Sequence, residues 1–156
     1  MPNTKIDKNN ETVWSDLDGR MTDFGHHQKI RVYYEDTDFS GIVYHANYLK
    51  FIERGRSDYI RQLGVHHSVL DAGVNGERLA LAVRHMDINF IKSARIDDIL
   101  TVETRIGEIK GARMFLDQQI LRDDEVLFTA RVTVVVITRD GRPRRLPDRL
   151  RTAFGQ

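Results

Sequence analysis

Apolar residues follow two different periods along this chain, and the change between them marks its elements. From Lys29 onward Ile30, Val32 and Tyr34 occupy every second position, the period of a strand with one buried face. Over residues 47–63 the spacing lengthens. Leu49, Ile52, Tyr59, Ile60 and Leu63 recur at three-, four- and seven-residue intervals, which predicts an amphipathic helix with Gly64 as its C-terminal stop. Gly55 lies inside that helix, at a cost of about 1 kcal/mol against alanine. Such a glycine is tolerated where a helix must lie close to something flat, such as a sheet.

After a loop of small and polar residues at 71–78 the period returns to two. Leu79, Leu81 and Val83 share one phase, and Met86, Ile88 and Phe90 the opposite one. A phase flip inside one strand implies an extra residue near Arg84-His85, most simply a β-bulge. Leu100, Val102, Thr104 and Ile106 place the next strand at 99–109. Lys110-Gly111 then turns into Met114, Leu116, Gln118 and Ile120. Arg122-Asp123-Asp124-Glu125 turns into a long strand carrying Val126, Phe128, Ala130, Val132, Val134 and Val136, closed by Asp140-Gly141. Residues 146–154 read as a short terminal helix. The order is strand, helix, then strands joined by tight turns, which makes those strands antiparallel. The pattern predicts an α+β protein in which a curved, five-stranded antiparallel sheet wraps one long central helix. One helix cannot cover both faces of such a sheet, so the long last strand and the uncovered apolar surface point to a dimer.

Residues 1–28 show neither period and are read as a flexible N-terminal extension. Trp14 and the pair His26-His27 are its exceptions, and whether Trp14 docks on the body is left open. The domain then runs over 29–145, with 146–156 as a C-terminal tail or short helix. A chain of 156 residues with 40% hydrophobic and 30% charged residues is long enough for one core without staples. A formal net charge of +1 lacks the basic stripe of a nucleic-acid binder. The one basic cluster, Arg142-Pro143-Arg144-Arg145, reads as a solvated tail in preference to a phosphate contact. With no cysteine, disulfides, thiolate metal sites and Cys nucleophiles are excluded. Neither an apolar leader nor an 18-residue apolar run is present, and a cytoplasmic protein is the expectation. The six histidines show no metal-ligand spacing and are read as surface or capping residues, so neither metal nor cofactor is expected.

Hydrolase elbows, phosphate-binding glycine loops, dinucleotide fingerprints and H-E-x-x-H are all absent. The chemistry concentrates instead in residues 33–48, between the first strand and the helix. Glu35, Asp36 and Asp38 fall within four positions and would repel one another unless they point apart or meet donors. Glu35 and Asp36 read as solvated loop acids or helix caps. Asp38 differs because Gly41 follows three residues later, at the turn leading into the helix. A glycine there lets the backbone approach a ligand. The free N–H groups near Tyr44 and His45, at the positive end of the helix, would face a carbonyl held in the turn. Spacing alone makes Asp38 a candidate, with a loop acid as the alternative.

The run Tyr33-Tyr34-Glu35-Asp36-Thr37-Asp38-x-x-Gly41-x-Val43-Tyr44-His45-x-x-Tyr48, followed by Glu53-Arg54-x-Arg56, resembles the hot-dog-fold acyl-CoA thioesterases. It is most similar to the 4-hydroxybenzoyl-CoA thioesterase family and its Tol–Pal-associated bacterial branch. Ile88-Asn89-Phe90 and Ser93-Ala94-Arg95-Ile96-Asp97-Asp98 extend the resemblance, which covers about residues 29–140. Ser93 stands where the family often has proline. The resemblance implies the hot-dog fold, a homodimer or homotetramer, and an acyl-CoA substrate without metal or cofactor. A peripheral association with the membrane-linked Tol–Pal system is a further implication. It assigns the catalytic carboxylate to Asp38, as nucleophile or general base, and the oxyanion-binding N–H to about His45, whose side chain is a second acid–base candidate. Gly41, Tyr44 and Asn47 fall at the substrate pocket, Asn47 with a capping role as the alternative. Lys92, Ser93 and Arg95 are candidate contacts for CoA phosphates, with solvated charge as the alternative. The competing class is a non-catalytic hot-dog module that holds an acyl chain or a partner protein. A hot-dog dehydratase would need a differently placed histidine motif.

Overall fold

The computed structural model describes residues 19–155; the reading of Trp14 lies outside them. Among the described residues six strands and a long helix make the body. β1 (Arg20–Thr22) and β2 (Gly25–Arg31) precede a single 3₁₀ turn, Tyr34–Asp36. The long helix α1 is Asn47–Gln62, and a short α2, His67–Ala72, follows it. The remaining strands are β3 (Leu79–Phe90), β4 (Ile99–Lys110), β5 (Arg113–Arg122) and β6 (Glu125–Thr138), before a terminal α3, Asp148–Ala153. They form one antiparallel sheet in the order β1-β2-β4-β5-β6-β3.

Three expectations change. The sheet has six strands, not five, and residues 20–31 belong to it although most fall in the segment read as flexible. β2 lacks apolar alternation over Gly25-His26-His27-Gln28, yet it pairs with β4 from His26↔Thr104 to Arg31↔Ile99. A strand held by cross-strand partners needs no periodicity of its own. Tyr34 leaves the strand for the 3₁₀ turn. The later strands are also not a simple series of hairpins. β3 pairs with β6, from Leu79↔Thr138 to Phe90↔Phe128, and not with β4. Residues 91–98 carry the chain from one end of the sheet order to the β2–β4 region. The bulge implied by the phase flip is present, as a register shift between Val83 and His85.

α1 lies against the concave face of the sheet. Phe51, Ile52, Val102, Leu100, Leu116, Ile120 and Phe128 are wholly buried there. Gly55 explains the approach: a Cβ at that position would stand 2.6 Å from Val102 Cγ1 and 3.2 Å from Thr104 Oγ1. Polar pins cross the same interface. Buried Arg56 donates to Gln118 Oε1 at 3.0 Å, and Gln118 Nε2 donates to Ile52 O at 2.9 Å and Thr104 Oγ1 at 2.8 Å. Gln118 thus ties one helix turn to two strands, although its place in the alternation is that of an apolar residue.

His26 corrects the reading of the histidines as surface or capping groups. It is 1% exposed, stacks on Tyr59 with centroids 5.5 Å apart, and meets Asp58 Oδ2 through Nε2 at 2.6 Å. Asp58 also accepts Gly19 N–H at 2.8 Å, Gln62 Nε2 at 3.0 Å and the Arg61 guanidinium. The cluster clamps the start of the sheet to the last turns of α1. His26 Nδ1 is buried without a partner among the described residues, so protonation would bury an unpaired N–H. Burial holds His26 below its usual 6.5, outweighing the pull of Asp58. For Asp58 burial acts upward, but the donors from Gly19, His26 and Arg61 together hold it below the ordinary carboxylate range. Among the described residues no helix is long and apolar enough to cross a membrane.

Unfolding raises both groups to their ordinary values, so the unfolded chain binds more protons and stability rises with pH. Unfolding free energy should decline as pH falls below about 6.5, through His26 first and Asp58 in the carboxylate range. In His26→Gln the decline between about pH 6.5 and 5 should flatten; equilibrium urea unfolding measured across that window checks this, and an unaltered slope would refute it.

Candidate active site

Residues 33–48 fold into a compact loop because many of their backbone groups find partners nearby. Tyr33 N–H donates to the Asp36 carboxylate at 2.8 Å. The Asp36 carbonyl accepts Tyr44 N–H at 2.9 Å and the Asn47 amide at 2.8 Å. Asp36 and Asn47 are both buried, so this acid is a structural pin of the loop. A tight turn closes on top of it. Thr37 bridges Val43, Asp38 N–H donates to Ile42 O at 2.9 Å, and Gly41 N–H donates to Asp38 O at 3.0 Å. Gly41 sits at φ +79° with open space where a Cβ would go. Its glycine is required by the left-handed backbone and not by a close neighbour.

The turn is stitched to the segment after β3. Ile42 bridges Arg95, Val43 N–H donates to Ala94 O at 2.9 Å, and Ala94 N–H donates to the buried Tyr48 hydroxyl at 2.9 Å. These contacts bring together residues about fifty positions apart and leave a cleft of about 240 Å³. Asp38, Ile42, Val43, His45, Tyr48, Phe90, Ile91, Lys92 and Ser93 line it. Its apolar wall is an aromatic cluster: Tyr48 stacks on Phe128 at 5.3 Å, and Phe90 meets Tyr48 edge-on at 5.8 Å and His45 at 6.3 Å.

Two features of the cleft are suited to carbonyl chemistry. The first is the open end of α1. Its N-cap is Ala46, with no side-chain cap, and among the described residues the His45 N–H meets no acceptor. An N–H left free at a helix start is suited to a carbonyl oxygen gaining negative charge. The second is the Asp38 carboxylate, exposed to solvent. Its Oδ1 accepts Ser40 N–H at 2.8 Å and Ser40 Oγ at 2.5 Å. The Ser40 donors, with nearby His45, hold it below the usual carboxylate range. An ionised, water-accessible carboxylate beside an uncapped helix end can attack a carbonyl or activate water.

Of the residues singled out in the sequence, Asp38, His45, Lys92 and Ser93 share the cleft. Gly41 shapes the turn, and Tyr44, 45% exposed, packs on the His45 ring at 4.4 Å. Asn47 directs its amide back into the loop. Arg95 is exposed beside the turn, its N–H held by Asp98 at 2.9 Å. Lys92 Nζ lies 2.6 Å from Glu125, and Arg122 joins Glu125 at 2.7 Å to Asp98 at 2.8 Å. Sequence reasoning missed Phe90 and Ile91 as pocket walls. Their only signal was their position at the end of the β3 alternation.

A larger hollow of about 360 Å³ lies on the other face of the sheet. Val102 and Thr104 face Gly55, so Glu103 and Arg105 point away from the helix. Asp87↔Arg131, Asp117↔Arg131 and Arg105↔Asp117 are cross-strand pairs there. This alternating ladder balances its own charges and holds no nucleophile beside an open helix end.

Comparison with known proteins bears on the fold and the family. The family model described as the Thioesterase superfamily matches residues 40–135. The acyl-CoA thioesterase YbgC of Haemophilus influenzae is 38% identical over 135 residues, covering 86% of this chain and 97% of that protein. The acyl-CoA thioester hydrolase YbgC of Escherichia coli O157:H7 is 37% identical over 129 residues, 81% of this chain and 93% of its own. Among solved structures, a protein titled as a probable thioesterase from Bartonella henselae superposes with a TM-score of 0.77 at 51% identity, over 79% of this chain and 99% of that one. With a family model spanning more than half of its length and relatives aligned nearly end to end, the chain belongs to the thioesterase superfamily, and its helix wrapped by an antiparallel sheet is the hot-dog fold.

Proposed function

We propose that this protein is an acyl-CoA thioester hydrolase whose carboxylate is Asp38 and whose oxyanion donor is the His45 N–H. The observation that carries the reading is the meeting, in one cleft, of an ionised carboxylate with the uncapped start of α1. The names of the YbgC relatives support the acyl-CoA substrate. The thioester oxygen takes the His45 N–H as charge develops on it. Either Asp38 adds to the carbonyl carbon, the C–S bond breaks and water then hydrolyses the mixed anhydride, or Asp38 takes a proton from water as that water adds. Both routes yield free acid and coenzyme A, and a thiolate leaving group needs little acid assistance. His45 lines the cleft with Tyr44 packed on its ring, and the aromatic wall suits the acyl group. Membership of the Tol–Pal-associated branch and a cytoplasmic setting belong to the same reading and rest on the motif and composition.

A homodimer or homotetramer is part of this proposal. β3 is a terminal strand of the sheet, twelve residues long, with exposed Val83, Phe90 and Ile91 on or beside it. A long unpaired edge of this kind is completed by a second copy.

Purified protein should release thiol from an acyl-CoA panel spanning short, long and aromatic chains. Asp38→Asn should lower kcat by about 100-fold or more. Wild-type turnover in that variant would end the assignment, and binding without thiol release would favour the non-catalytic module. Lys92→Ala should raise KM by a few-fold and leave kcat nearly unchanged, with a smaller effect at high salt; a fall in kcat alone would speak against a phosphate contact. Light scattering coupled to size exclusion should give twice or four times the chain mass, and a lysine placed at Val83 should shift it toward the monomer. A monomeric wild type would refute the edge interface.

A further inference from the structure

The proposed carboxylate lies at the tip of a surface turn, where packing does not hold it. The neighbouring hydrogen bonds Asp38 N–H to Ile42 O and Gly41 N–H to Asp38 O fix only the backbone. The side chain is restrained by Ser40 alone among the described residues, and both of its donors reach the same oxygen, Oδ1. Oδ2 is left without a donor among the described residues. Ser40 itself is exposed and does not line the cleft, so it acts on the reaction only through Asp38.

We propose that Ser40 is a positioning residue: its hydroxyl locks Asp38 through Oδ1 in the rotamer that presents Oδ2 to the thioester. The inference rests on the assignment of Asp38 above. An exposed carboxylate samples several rotamers, and a nucleophile or base that is correctly aimed only part of the time loses rate in proportion. The same hydroxyl stabilises the anion, so the carboxylate stays ionised to lower pH. Other charged groups facing Asp38 come from two elements. His45 stands at the start of α1, and Lys92, on the segment after β3, is paired with Glu125. Within the loop Asp36 is turned onto Tyr33 N–H, and Glu35 is exposed.

Ser40→Ala removes the hydroxyl and keeps the backbone donor, which separates the two restraints. Working form and sign agree: activity needs ionised Asp38 and is lost as pH falls through its pKa, so losing a donor to the anion moves the acid limb upward. In Ser40→Ala kcat should fall on the order of tenfold with KM changed less than about twofold. The acid limb of kcat/KM should move up by about half a pH unit or more. Ser40→Thr, which keeps a hydroxyl, should restore both. A ¹³C titration of the Asp38 carboxyl in the resting protein reads the same shift apart from any contribution of His45. If Asp38→Asn is inactive while Ser40→Ala matches wild type in kcat and in its acid limb, the positioning role is overturned and the Asp38 assignment stands. If Asp38→Asn is fully active, both fall together.

Discussion

The close seating of α1 on the sheet at Gly55 is the constraint from which the remaining geometry follows. A side chain there would collide with Val102, so glycine sets the separation of helix and strand, and Arg56–Gln118–Thr104 sets the rotation about that contact. About one turn further on, the Asp58 cluster clamps the C-terminal half of the helix to His26 and Gly19. With one end clamped and the middle in contact, the N-terminal end has little freedom. That end carries the His45 N–H and faces the Asp38 turn. The position of the proposed oxyanion donor is therefore set by packing ten or more residues away, in keeping with sites whose precision comes from rigid elements.

The same logic explains the division of labour among the loop acids. Three carboxylates within four positions would repel one another if they shared a space. The fold separates them: Asp36 is buried on Tyr33 N–H, Glu35 faces water and Asp38 meets Ser40. Each has its own donors or its own hydration, so Asp38 can remain ionised beside its neighbours. The aromatic wall of Tyr48, Phe90 and Phe128 gives the cleft one apolar side facing this charged one, an arrangement suited to a ligand with an apolar chain and a polar reacting group.

Long, strongly periodic segments were legible in the sequence. The helix at 47–63, the bulge near Arg84 and the strands that became β4, β5 and β6 follow from local alternation, because one side of each element is buried. The motif around Asp38 and Gly41 was legible for a related reason: a tight turn before a helix makes local demands, and Gly41 at φ +79° meets one of them. Elements held by distant partners were not legible. β1 and β2 owe their strand geometry to β4, and His26 owes its burial to Asp58, 32 positions away.

By itself, then, the sequence determined the long helix, the strands from Leu79 onward, the catalytic candidate and the family motif, since each depends on residues within a few positions of one another. Only the tertiary structure decided which strands are neighbours, that β3 lies at an end of the sheet beside β6, and that Phe90, Lys92 and Ser93 meet Asp38 and His45 in one cleft. It also separated Asn47, which holds the loop, from the residues that face the cleft. Those outcomes depend on the pairing of segments tens of residues apart, and such pairing is settled by the joint burial of many side chains that no local pattern encodes.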